Sequence, residues 1–119
     1  MERVEGVGGV FIRSDDPARL RAWYAEHLGV ESEDWGGCVF TTAAGETLTW
    51  AVFAGDTDYF PGPAMINFRV RDLDAILAQL RAAGVEVDAN VMDHENGRFG
   101  WALDCDGNRV ELWQPAPGQ

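Results

Sequence analysis

Two stretches of this chain follow one plan, and that repetition limits the folds open to it. Val7, Val10, Phe11 and Ile12 mark a strand over about 7–13, and Met65 to Val70 marks another. Each strand carries an arginine, Arg13 or Arg69, three residues before a helix-capping aspartate, Asp16 or Asp72. Pro17 occupies the first helical position, where its missing N–H costs nothing. Leu20, Trp23, Tyr24, His27 and Leu28 recur at helical spacing, as do Leu73, Ile76, Leu77 and Leu80. Gly29 and Gly84 close the two helices. Three strands are expected after each: 30–35 (weak), 38–42 and 47–53 in the first half, then about 87–92, 98–104 and 108–114. Asn96-Gly97 is a hairpin signal between two of the latter. The Gly45–Thr49 stretch lies over Gly107–Glu111. A unit this short cannot easily bury its sheet face alone, so the two halves are expected to pack together. Residues 54–63, rich in Gly, Asp and Pro, read as the linker between module one (about 6–53) and module two (about 64–115).

The last strand carries the clearest chemical signal. After the Asp106-Gly107-Asn108 turn, Arg109, Glu111 and Trp113 share one face, and Val110 and Leu112 the other. An apolar pair facing a core is ordinary. A carboxylate between Arg and Trp on the opposite face needs a partner, a metal or a ligand.

Composition excludes several functions. With 46% apolar residues in 119, the chain is globular and forms one domain. A net charge of −11, with only nine basic residues, argues against nucleic acid and anionic membranes as partners. No stretch is apolar enough for a membrane span, and the N-terminus has no signal-peptide character. Cys38 and Cys105 lack metal spacing and read as reduced thiols of a cytoplasmic protein. Nucleophile-elbow, phosphate-loop and His-Glu-x-x-His motifs are absent from the sequence.

The paired strand-helix-strand modules, the terminal Asp-Gly-Asn-Arg-Val-Glu-Leu and the Trp23-Tyr24 helix ending at Leu28-Gly29 together resemble the vicinal oxygen chelate superfamily. This is the glyoxalase, bleomycin-resistance and extradiol-dioxygenase group. The resemblance implies an α+β fold in which two βαβββ modules form a curved, cup-like mixed sheet, and it implies homodimers. In metal-using relatives, His, Gln or Glu come from the first and last strands of each module. The matching positions here are Gly9, Met65, Thr49 and Glu111. Only Glu111 suits a hard or borderline divalent ion, whereas a catalytic metal needs about three protein ligands. No cofactor is therefore expected, and a divalent metal is disfavoured.

Period-2 alternation then fills the cup with Phe11, Arg13, Thr47, Thr49, Met65, Asn67, Arg69, Arg109, Glu111 and Trp113. Of these, Phe11, Arg13, Thr49, Met65, Asn67, Arg69, Arg109 and Trp113 are candidate ligand-binding residues. Two readings of Arg13 and Arg69 stand side by side: guanidinium forks for an anionic ligand, or a structural network with neighbouring acids. In glutathione-dependent relatives, an arginine resembling Arg13 helps bind the glutathione moiety. Trp23 is expected in the core, most other tryptophans in the core or a dimer interface, and Trp113 at the site. His94 reads as an exposed loop histidine that a mobile loop can bring to Glu111. Two functions follow. One is a metal-free protein that sequesters a small molecule, in the manner of the bleomycin-resistance relatives. The other is a glyoxalase-like lyase or isomerase with Glu111 as catalytic base or ligand of a displaced metal. Donors converging on Glu111, His94 first among them, distinguish the two.

Overall fold

A computed structural model describes residues 1–118. The order of elements is β1 (Val4–Ser14), α1 (Pro17–Leu28), β2 (Gly37–Thr41), β3 (Thr47–Ala54), β4 (Ala64–Val70), α2 (Leu73–Ala82), β5 (Met92–His94), β6 (Gly97–Leu103) and β7 (Arg109–Pro115). The seven strands form one curled mixed sheet in the order β2-β3-β1-β4-β7-β6-β5. The two modules join edge to edge through antiparallel β1 and β4, and in each the first strand lies parallel to the last. This is the α+β cup that the resemblance implies. Among the described residues no helix is long and apolar enough to cross a membrane.

Local chemistry explains the boundaries. The Asp16 side chain accepts from the Arg19 N–H at 3.1 Å and caps α1; Pro17 follows, and Gly29 ends the helix in the left-handed conformation. Asp72 caps α2 in the same way, accepting from the Ala75 N–H at 3.0 Å. Leu73, Ile76 and Leu77 of α2 pack with Val70 and Leu112 on the convex face of the sheet. The concave face holds a second cluster of Phe11, Ala51, Phe60, Met65 and Trp101. Leu112 and Glu111 therefore serve opposite faces, as alternation along β7 requires.

Several details differ from the sequence expectation. Residues 30–35 form a turn instead of a strand. The Glu33 N–H donates to the Gly37 carbonyl, and the Gly36 N–H donates back to that of Glu33, which reverses the chain. Of the strand expected at 87–92, only a Val87–Ala102 bridge and the start of β5 form. Trp23 is 49% exposed, and no residue of α1 is buried. Its apolar stripe meets only a small part of the sheet: Trp23 contacts the rings of Tyr24 and His27, and Tyr24 reaches Trp50.

The repeat also has a different register in the last strands. With Arg13 matched to Arg69, Phe11 matches Asn67. Their parallel partners are Ala51 and Glu111. Ala51, rather than Thr49, is the counterpart of Glu111. A slip of two residues leaves side chains on the same face, so the inward-facing set keeps its parity.

Candidate functional site

Glu111 lies in the middle of β7 and is 2% exposed. Three neutral donors converge on it. The Asn67 Nδ2 donates to Oε1 at 2.7 Å from the adjacent strand β4. The Trp101 Nε1 donates to Oε2 at 2.8 Å from β6, where Trp101 is the cross-strand partner of Glu111. The Tyr59 hydroxyl donates to the same Oε2 from the 55–63 segment. Charge-assisted bonds of this kind are what make a carboxylate tolerable out of water. Burial, then the charge of Glu111 and the bond to it, push the Tyr59 phenol well above the ordinary tyrosine value, against smaller opposing effects of Trp101 and Arg109.

The 55–63 segment is thus more than a linker. Phe60 is 1% exposed and sits in the concave core, while Tyr59 stacks on Phe53 at 5.5 Å and meets Trp101 edge-on at 6.0 Å. Arg13 fixes this segment. Its guanidinium donates to the Gly55 carbonyl at 3.2 Å and to the Phe60 carbonyl, and lies 5.0 Å from the Phe60 ring. Two adjacent aromatics in a Gly- and Pro-rich stretch were the signal for this plug.

Above the plug an aromatic trough remains. Two hollows of about 180 Å³ each share Phe11, Asn96 and Phe99. Gly8, Val39, Thr47, Thr49, Asn67 and Trp113 complete the first; Phe53, Tyr59, His94 and Glu111 contribute to the second. Gly8 lies at an irregularity in the β1–β4 pairing. A Cβ at Gly8 would come within 2.5 Å of Asn67 Oδ1 and 2.7 Å of Trp113 Cε3, so only glycine fits there. Phe99 and Trp113 stack at 6.1 Å with rings 7° from parallel, and the Arg69 guanidinium lies 4.7 Å from the Trp113 ring.

The candidate residues divide accordingly. Phe11, Thr49, Asn67, Glu111 and Trp113 come together at the trough. Met65 is 1% exposed and belongs to the core beneath it. Arg13 holds the plug. Arg69 donates to the Thr47 carbonyl at 2.9 Å and the Thr47 hydroxyl at 3.2 Å, tying β4 to β3. Arg109 pairs with Asp88 at 3.3 Å, stacks 4.9 Å from Trp101 and lines a separate depression with Glu86 and Asp88. Tyr59, Phe60, Trp101 and Phe99 were missing from the sequence-derived set. Trp101 was within reach of it, since a hairpin register places it opposite Glu111. A concavity of about 660 Å³ runs along α1 past Asp15, Asp16, Trp23 and Glu26. It is an open groove with largely exposed walls and lies apart from the carboxylate.

The residues at the family's metal positions do not fit a divalent ion. Gly9 has no side chain, Met65 is packed in an apolar core, and Glu111 already accepts three hydrogen bonds. Among the described residues no group of three or more His, Cys, Asp or Glu side chains is placed to hold one.

Comparison with known proteins agrees with this architecture. The model of the Glyoxalase/Bleomycin resistance protein/Dioxygenase superfamily matches residues 6–112. Methylmalonyl-CoA epimerase from Mycobacterium tuberculosis is similar over 96% of this chain and 90% of its own, at 25% identity and a TM-score of 0.67. A single-residue variant of the Streptomyces coelicolor methylmalonyl-CoA epimerase, in complex with 2-nitronate-propionyl-CoA, superposes with a TM-score of 0.74 at 19% identity, over 96% of this chain and 99% of that one. The Mn(II)-bound glyoxalase from Novosphingobium aromaticivorans gives a TM-score of 0.60 at 20% identity; the match covers 96% of this chain and 40% of that longer one. No curated protein sequence matches the chain.

Proposed function

Since this chain belongs to the glyoxalase/bleomycin resistance protein/dioxygenase superfamily, we propose that it binds a small molecule in its aromatic trough without using a metal. One observation carries the reading: the Glu111 carboxylate is satisfied by Tyr59, Asn67 and Trp101, the first two neutral side chains flanking it and the third its cross-strand neighbour. Three of the roughly four acceptor sites of the carboxylate are then taken, both on Oε2 and one on Oε1, which leaves little for a metal. Phe11, Phe99 and Trp113 supply walls of the kind that planar ligands favour.

Elemental analysis of the purified protein, with thermal-shift titration of Zn²⁺, Ni²⁺, Mn²⁺ and Fe²⁺, tests the proposal. The expected result is substoichiometric metal and no stabilisation. Stoichiometric metal, or stabilisation abolished in a folded Glu111→Gln variant, overturns it.

A second reading is an enzyme of the lyase or isomerase type with Glu111 as base. His94 and Glu111 line the same hollow, and that favours it. Here Glu111 takes a proton from a carbon acid after Tyr59 withdraws its hydroxyl. Incubation with methylmalonyl-CoA in D₂O is the direct check: deuterium at the α-carbon supports this reading, and its absence the first.

The proposal extends to a cytoplasmic homodimer. Val7, Phe40 and Trp35, between 43% and 52% exposed, are apolar surface of module one available for a second copy. Sedimentation as a monomer at micromolar concentration would count against it.

A further inference from the structure

The β5–β6 hairpin, with Glu95 and Asn96 at its tip, forms one lip of the trough. It is anchored. The Asn96 carbonyl accepts from Trp113 Nε1 at 2.8 Å and from the Ala116 N–H at 3.0 Å. Gly97 lets the hairpin lie against β7, because a Cβ there would fall 2.1 Å from the Gln114 carbonyl oxygen. On this lip, the Asn96 backbone N–H donates to His94 Nδ1 at 3.1 Å. A nitrogen that accepts carries no proton, so the imidazole hydrogen is on Nε2. The His94 ring meets Phe99 edge-on at 6.3 Å and faces the hollow that also holds Glu111, Tyr59 and Phe11. Among the described residues no hydrogen bond to Nε2 is formed, while every donor around Glu111 is already engaged.

We propose that His94 selects the ligand: its Nε2–H donates to a carbonyl oxygen on a flat, uncharged aromatic molecule lying along Phe11, Phe99 and Trp113. The inference rests on the trough being the binding site and adds what it recognises. Aromatic walls favour a flat ligand. The Glu111 carboxylate on the wall of the hollow disfavours an anion. Glu111 keeps its charge but is 2% exposed, with a neutral donor on each oxygen, so it offers a cation no direct contact. An uncharged molecule with an acceptor remains.

The test is a matched pair of probes, 2-acetylnaphthalene and 2-ethylnaphthalene, which differ in the carbonyl oxygen. Their affinities are measured by calorimetry for the unaltered protein, His94→Ala and Phe99→Leu. Replacing an exposed lip residue such as His94 leaves the fold intact. The expected result is that the ketone binds about tenfold more tightly than the hydrocarbon, as one added hydrogen bond allows. His94→Ala should bring the ratio to about one with the hydrocarbon unchanged, and Phe99→Leu should weaken both. Equal binding of the two by the unaltered protein, or a preference that survives His94→Ala, overturns the role of His94 and leaves the trough standing. Binding of neither probe overturns the trough reading, and this inference with it. Binding that Phe99→Leu leaves untouched places the probes elsewhere and overturns both.

Discussion

Tyr59 and Glu111, separated by 52 residues in sequence, share a hydrogen bond in the floor of the cup, and with it the connecting segment is joined to the terminal strand. The bond links the part of the chain with the strongest turn signals to the part with the clearest strand signal. It leads directly to an observable in alkaline solution.

Burial and the neighbouring carboxylate hold the Tyr59 phenol in its neutral form far above the ordinary value of about 10. In the unfolded chain it ionises near 10. Above that pH the unfolded state binds fewer protons than the folded state, so stability falls as pH rises. Below it, the contribution is fully present. Urea midpoints should therefore decline between about pH 9.5 and 11, and less steeply in Tyr59→Phe. A variant with the same slope as the parent would show that Tyr59 is not the group responsible.

Replacing Glu111 separates charge from shape. Glu111→Leu leaves the Tyr59 hydroxyl, the Asn67 amide and the Trp101 indole N–H without their acceptor. The expected loss is about 3 kcal/mol or more, from three donors stranded in a buried place. Glu111→Gln retains one acceptor oxygen and should cost less. Denaturant unfolding of the two variants gives the ranking, and equal losses would mean that the network contributes little.

Arg13 offers a test of the plug by itself. Its guanidinium holds two carbonyls of the 55–63 segment, at Gly55 and Phe60. Arg13→Ala should raise amide hydrogen exchange across 55–63 by roughly tenfold or more and leave α2 and β7 protected. Uniform loss of protection throughout the sheet would instead make Arg13 part of the global core.

Gly8 sets the depth of the first hollow. Adding one methyl there forces Asn67 or Trp113 to move, since both already lie within 3 Å of where it would sit. Gly8→Ala should cost about 1–3 kcal/mol by overpacking and abolish binding of any trough ligand. Calorimetry with an aromatic probe, alongside a melting curve, separates the two effects.

The sequence made the fold legible because its punctuation is local. Asp16-Pro17, Gly29 and Asp72 act within a turn of themselves, so their meaning survives any tertiary arrangement. Alternation along β7 likewise put Glu111 and Trp113 on the concave face and Leu112 on the other. The rest depended on distance. Gly55, Pro61, Gly62 and Pro63 report turns correctly and say nothing of where Tyr59 and Phe60 point. Trp23 has helical spacing, but an apolar stripe specifies only that a helix has a face, and little covers this one. Arg13 and Arg69 occupy equivalent strand positions, yet their bonds include backbone carbonyls of the 55–63 segment and of Thr47, and no side-chain pattern advertises a carbonyl. The two-residue slip that makes Ala51 the counterpart of Glu111 was equally silent, because period 2 cannot see it.

The floor of the cup is laid by a connector and not by a strand. Sheet residues answer to partners on either side, so a change in one disturbs a ladder. Tyr59 answers to Phe53, Trp101 and Glu111, and Phe60 to Arg13 and the concave core. A smaller or larger side chain at 59, which lines the hollow, can then deepen or fill it while the seven strands stay paired. In a duplicated scaffold, this leaves the size of the guest free to drift under selection, with the architecture that holds it unchanged.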